Sequence, residues 1–534
     1  MPEKLARELL IKDIRQLNEI LETAHPDPYI NGGGKVAYHR RLQKLIMAIP
    51  KEGMLYEDFY YHIQSFIASL EDAHTSLRQS EQIHNKENPG GIPLYFSPVE
   101  EILYVSEVVS KEHLDLIGSK LNSIEGISFS ELIQRMKKLR GFDNISNLLG
   151  KLGRFGMLFF KEDLVKLLPE WNQDEKQIKV TLINLEGEEI EYLFKTSNQV
   201  QYPLHKNDSE ISIPDAEKLM AYHFIDDKKN IAFLRIGDMV AFREAHELFR
   251  EIGLTEFAKA MNLEYQKYND GKLPEELDTL IAGLPSATQL FQSLFKEMKN
   301  YSSEYLLVDL RNCQGGQDFI IFFLLYFLVG TDRALELIHS RSDVLKLSNF
   351  LNDSTKGGID LENTLYYDKV PLEITDYYFG NDKSFIDQQK DWQSIKKYYS
   401  KEFKRMPSFN QEYKTKDSES IYLPKKLVVL CSDITHSSGF DMMLNLKRLG
   451  AVNVGVASGQ SGNHFGNIRQ FELNNSKIVG KVATRFFIAF PDAPMKHLLH
   501  HPDFEITHKL LQEYSFDENT SLLYALKLIE EKKF

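Results

Sequence analysis

Two cysteines and two tryptophans in 534 residues are the first scarcities. Cys313 and Cys431 cannot supply a disulfide framework, and no clustered cysteine and histidine spacing of the structural-zinc kind occurs. An ordinary apolar core must therefore hold the chain together. Long hydrophobic runs are missing as well. The longest, residues 320–329, is followed by Gly330, Thr331 and Asp332 and has roughly half the length that spans a bilayer. It predicts a buried core helix, and the chain has no transmembrane candidate. The opening residues, MPEKLARELLIKD, carry charges where a secretory leader would be apolar. As it stands the sequence reads as cytoplasmic, or as extracytoplasmic or secreted if a leader was removed. Excess positive charge is also lacking. With 64 basic and 77 acidic side chains the formal charge is -13, which argues against a nucleic-acid partner because phosphate binding needs a positive surface.

What is present is the composition of a soluble globular protein too long for one core, so two to four domains are expected. Residues 1–83 read as an N-terminal helical domain, with apolar faces over 5–23, 36–48 and 57–70 and a break at HPDPYINGGG. Residues 84–200 alternate short strands with one helix, at 128–138, and end in a hairpin around Glu186 and Gly187; they predict a small, separately packed α+β domain. Residues 201–224 form a polar linker. An α/β core over 225–534 follows, with strands at 230–236, 305–310, 427–431 and 452–456, and an insertion at about 331–420. That insertion is rich in tyrosine, including Tyr377, Tyr398 and Tyr399, and suits either a substrate groove or packing of an irregular lobe.

Two strand ends carry the chemistry. Residues 427–431 are a buried valine and leucine run, followed by SDITHSSGF and by Phe440, Met443, Leu444 and Leu446 at helical spacing. This predicts a strand, a tight polar turn and a helix whose free amides point back at the turn. A hydroxyl there most often caps the helix. It can also be a nucleophile. The second strand, YLLVDL, runs into RNCQGGQ, where Gly315 and Gly316 expose backbone amides suited to an anion. Acyl transfer needs both a hydroxyl and nearby amides for the developing oxyanion. Elsewhere, the glycines of LLGKLGRFGMLFF follow no phosphate-loop or dinucleotide pattern, so no cofactor is implied. The segment ASGQSGNHFG reads as a mobile loop.

Taken in order, ASLEDAHTSL, YLLVDLRNCQGGQ, THSSGF, GQSGNHFG and HPDFEI make the chain resemble the C-terminal-processing, or tail-specific, serine peptidases. It is more similar to their tricorn-core-like, histidine-using branch than to the serine and lysine branch. The resemblance implies a crotonase-like (ClpP/crotonase-type) spiral α/β core, an N-terminal helical segment and a small PDZ-like domain. It also implies site residues. Ser437 matches the nucleophile, with His436 where the family has a small residue. His74 in EDAHTS matches the base, a sensible role for neutral imidazole near pH 7. Ser438 and Gly315 would supply oxyanion-hole amides. Gly316 and His464 are carried as substrate-binding residues. Gly462 stands where the other branch has its lysine, and Met495 and Lys496 stand where the histidine-using branch has a glutamate, so the nearest acid, Asp492, is the expected third member.

The expected activity is peptide hydrolysis on peptides or unfolded proteins, without cofactor or metal. Self-association stays open. Two other classes compete, a non-catalytic peptide-binding relative and a hydrolase for small acyl substrates. An α/β-hydrolase is disfavoured because THSSG lacks the glycine-x-serine-x-glycine elbow.

Overall fold

Six strands whose side chains alternate between two apolar cores make the central sheet. The computed structural model describes residues 4–78, 90–154, 156–172, 176–196, 204–207, 209, 211–214, 218–253, 258–269, 272–353, 366–367, 370–380, 388–415 and 421–534. From one edge to the other the strands are Phe504–Glu505, Val452–Gly455, Lys426–Cys431, Tyr305–Asp309, Ile231–Ile236 and Met220–Phe224. All neighbours run parallel except the last pair. Leu306, Val308, Leu427 and Val429 face the Phe319–Ile338 and Ser438–Arg448 helices, while Leu307, Val428, Leu430 and Val454 face the opposite core. A sheet buried on both faces requires apolar residues at every position, which is why these strands read as unbroken valine and leucine runs.

This sheet is open. Its outer strands, Phe504–Glu505 and Met220–Phe224, each pair on one side only, and no closed sheet occurs among the described residues. The crotonase-like or ClpP-like spiral core is therefore a wrong expectation. Strand, turn and helix units look alike in sequence whether the sheet closes or not, because closure depends on pairings between distant strands.

Residues 94–195 form a second, antiparallel sheet built from Leu94–Val99, Ile102–Val108, Lys120–Ile124, Gln177–Ile183 and Glu189–Lys195, with Ile127–Ser128 paired beside it. The Phe129–Leu139 helix begins where the Ser128 hydroxyl accepts the Glu131 amide at 3.3 Å. The apolar interior of this unit is continuous with the second face of the central sheet.

A third sheet links the helical N-terminus to the core. Ser76–Leu77 pairs with Val479–Ile488, which also pairs with Asn463–Glu472 and with Ser342–Lys346. Residues 457–466, expected as a mobile loop, are buried, and Asn463 to Gly466 are already in strand pairing. The apolar helix does end at Gly330, whose φ 75° and ψ 176° are not helical, and a second helical stretch continues from this kink to Ile338. Against that helix pack Gln388–Phe403 and Pro407–Thr415, with the Phe323 and Phe409 rings stacked at 3.9 Å and Tyr399 against Phe322 at 5.6 Å. Phe409 of the aromatic insertion thus serves packing, while Tyr399 both packs on the helix and, with Tyr398, lines a large cleft. Residues 354–365, 368–369 and 381–387 lie outside the described residues, and Tyr366 and Tyr367 are placed only by their backbone pairing with Pro371 and Val370. No helix among the described residues is long and apolar enough to cross a membrane.

Candidate active site

The turn after the Lys426–Cys431 strand is held from below. Thr435 Oγ1 donates to Leu310 O at 2.8 Å, Ser432 Oγ donates to Arg311 O at 2.5 Å, and the His436 amide donates to Cys313 O at 3.0 Å. These bonds fasten the serine turn to the end of the neighbouring Tyr305–Asp309 strand. Ser437 then adopts φ 52° and ψ -129°, a region unfavourable for a residue with a Cβ, immediately before the Ser438–Arg448 helix. Its side chain makes no capping hydrogen bond. Capping, the commonest use of a hydroxyl at this position, is therefore not what Ser437 does. Backbone strain held in place by several bonds is a feature of functional positions.

Gly315 and Gly316 are brought directly against this turn. A Cβ on Gly315 would fall 2.7 Å from Ser438 N, 2.8 Å from Ser437 Cβ and 2.9 Å from His436 O, so only glycine fits. The two residues have φ of 97° and 136°. The Ser438 amide, the first of its helix, finds no acceptor among the described residues, while its hydroxyl donates to Gly316 O at 3.1 Å and to Asp318. The Gly315 amide lies against the Cys313 sulfur, whose thiol burial pushes up to about 12.

His74 arrives from the N-terminal helical region. Asp72 Oδ1 accepts the His74 amide at 2.8 Å and Asp72 Oδ2 lies 3.3 Å from His25 Nε2. Lys496 Nζ donates to Glu71 O at 2.8 Å, and the Ala483 amide donates to Thr75 Oγ1 at 3.0 Å. The His74 ring stacks on His436 with centroids 4.8 Å apart, one residue from Ser437, and both His74 and Ser437 line one cleft of about 1650 Å³. Gly315, Gly316, Ser438 and His464 line it too.

The acid beside His74 is Asp143, which sequence reasoning did not single out. Its Oδ2 lies 3.9 Å from His74 Nδ1 and 3.1 Å from His436 Nε2, and its Oδ1 accepts the Ala73 amide at 2.9 Å. Gln460 joins the two halves, accepting the Ser437 amide at 2.9 Å and donating to Asp143. Asp492 is exposed in a turn and does not line the cleft. The one local signal for Asp143 was the Asn144 cap after it, whose side chain accepts the Asn147 amide at 2.9 Å and opens the Ile145–Leu152 helix. Caps are too common to mark a site.

Burial acts on all of these groups. It pushes His74 down to about 3, helped by the nearby His436 and opposed by Asp143 and Asp72. Burial likewise brings His464 to about 3, with Arg341 adding repulsion. For Asp143 burial favours the neutral acid, yet the hydrogen bond to His436, the electrostatic preference of the two neighbouring imidazoles for an anion and the Ala73 amide outweigh it and hold the carboxyl well below its ordinary range. The ring that faces Ser437's turn is thus neutral, with a carboxylate beside it.

A stability prediction follows in sign from His74 and His464. Unfolded, each takes up a proton near pH 6.5; folded, neither does until about 3. Below pH 6.5 the unfolded chain therefore binds more protons, and stability falls as pH drops toward 3, by up to about 1.4 kcal/mol per pH unit for each ring. Urea midpoints measured at pH 7, 6 and 5 should decline in that order. A midpoint that is flat across this range contradicts the burial of neutral rings.

No family model matches the chain, and no curated protein sequence matches it either. Solved structures do. A mature CPAF complexed with lactacystin superposes with TM-score 0.52 at 13% identity, covering 98% of this chain and 99% of that one. Mature CPAF itself gives 0.51 at 12% identity over 96% of both chains, and a CPAF mutant gives 0.53 at 12% over 96% of both. At such identities the likeness is one of fold: along almost its whole length this chain is folded like CPAF, and the comparison singles out no branch of the resemblance read from the sequence.

Proposed function

We propose that the chain is a serine-type peptidase in which Ser437 attacks the scissile carbonyl, His74 takes its proton, and Asp143, in place of Asp492, orients the imidazole. The single observation that carries this is the strained, uncapped Ser437 sharing a cleft with the buried neutral ring of His74. The amide of Ser438 and the Gly315–Gly316 turn would hold the developing negative oxygen. Transfer of the proton back from His74 to the leaving amine, then attack by water on the acyl-serine, would complete the cycle. Similarity of fold to CPAF supports a peptide or protein substrate, and a cleft of about 1650 Å³ has room for one.

The test is chemical. A fluorophosphonate should label the folded protein on one residue, and peptide mapping by mass should put the adduct on Ser437; a diverse peptide library should be cleaved by the same preparation. The His74, Asp143 and His436 ligand atoms lie within 4.8 Å of one another, an arrangement that favours a second reading, a metal-dependent hydrolase. EDTA decides between the two. Cleavage that persists in EDTA supports the serine reading, whereas loss restored by added metal, with no phosphonate adduct, rejects it.

A further inference from the structure

His436 stands where the resembled peptidases have a small residue, and its ring changes what the site can bind. Among the described residues, His74, His436 and Asp143 form a compact set, with one ligand atom from each lying within 4.8 Å of the others. Asp143 Oδ2 is 3.1 Å from the His436 nitrogen and 3.9 Å from the His74 nitrogen. Ligand atoms about 3.4 Å apart are what a tetrahedral ion with bonds of about 2.0–2.1 Å requires, so small side-chain rotations would suffice. His74 Nδ1 is also buried with no hydrogen-bond partner, in a residue 7% exposed, and it faces the Asp143 oxygen. A buried nitrogen lone pair or N–H left unmatched is costly unless something fills the position.

We infer that His74, His436 and Asp143 form a binding site for a divalent transition ion of the zinc class, and that the ion switches the peptidase off. Two imidazoles and one carboxylate with an open fourth position suit zinc, and are a poor match for magnesium or calcium, which take oxygen ligands. The inhibition has a simple origin. A neutral imidazole has one free lone pair. If the ion takes the pair on His74 Nδ1, the proton sits on Nε2, and that nitrogen can no longer accept the Ser437 proton. The ion also claims the Asp143 oxygen that would otherwise orient the ring. The binding half stands on geometry alone; the inhibitory half rests on the serine-peptidase reading.

The full chain, stripped of metal by chelation, is titrated with zinc in competition with a chromophoric chelator, and the rate of fluorophosphonate labelling is followed in parallel. One equivalent of zinc should bind to wild type and to Ser437→Ala alike, and the affinity should fall at least about tenfold in His436→Ala. Magnesium should not compete. In wild type, zinc should slow labelling at least about tenfold, with recovery in excess EDTA. Circular dichroism of His436→Ala, and a second substitution, His436→Asn, separate loss of ligand from loss of fold. Equal zinc affinity in folded His436→Ala and wild type overturns the site, since it assigns binding to other histidines; labelling unaffected or accelerated by bound zinc overturns the switch. Zinc binding without any labelling would uphold the metal site while rejecting the peptidase reading, and labelling without zinc binding would do the reverse.

Discussion

Ser437→Ala is expected to lower kcat/KM on a cleaved peptide by about 10⁴-fold or more, and to abolish covalent labelling, while the protein keeps its fold. The argument is geometric. Ser437 is uncapped, strained at φ 52°, and fastened through Gln460 to the Asp143 side of the site, so removing its hydroxyl costs no hydrogen bond that holds the turn. His74→Ala should lose a comparable amount, and the double variant little more than either single one, because a nucleophile and its base act as a unit. Asp143→Asn should cost about 10³-fold or more by holding the imidazole in the wrong tautomer. Asp492→Asn, at an exposed turn, is the control and should cleave as wild type. Losses that simply multiply in the double variant would separate His74 from Ser437. Equal cleavage by Ser437→Ala would end the mechanism.

Gly315→Ala is expected to be nearly as damaging, at least about 100-fold in kcat with a smaller change in KM. Two penalties act together. At φ 97° a Cβ is strained by about 1–3 kcal/mol, and here it would also meet Ser438 N, Ser437 Cβ and His436 O at 2.7, 2.8 and 2.9 Å. Backbone at these distances has to move, and what moves is the Ser437–Ser438 peptide. Gly187→Ala separates the two penalties, since Gly187 has φ 86° in an open hairpin with nothing within 4 Å. It should lower the urea midpoint through strain and leave turnover unchanged. If Gly315→Ala behaves like Gly187→Ala, the glycine turn is structural and lies outside the catalytic machinery.

The uneven legibility of the site has a physical origin. Ser437, Gly315 and His74 each lie at the end of a regular element, where a change in hydrophobic period and a turn residue mark the spot. Asp143 and Gln460 do not. Asp143 sits in an ordinary loop before a capped helix, and its importance comes from His436 Nε2 and the Gln460 amide, 293 and 317 residues away along the chain. Asp492 was the nearest acid in sequence, and nearness in sequence says nothing about which carboxylate the fold delivers to His74. The buried segment around Gln460 misled for a related reason: Gly459 and Gly462 look like loop residues, but they are small because Asp433 O and the Phe490 and Leu498 side chains crowd them.

By itself the sequence determined the elements: valine and leucine runs that had to be strands buried on both faces, helices with one apolar side, and a strand-end serine preceded by a histidine. Local side-chain periodicity dictates those choices, because each residue's burial is written in its own neighbours. Tertiary structure alone decided that the central sheet stays open, that Asp143 rather than Asp492 lies beside His74, and that His436 meets the same carboxylate. Those outcomes depend on which distant segments pair and pack, and a one-dimensional pattern carries no term for contacts between residues hundreds of positions apart.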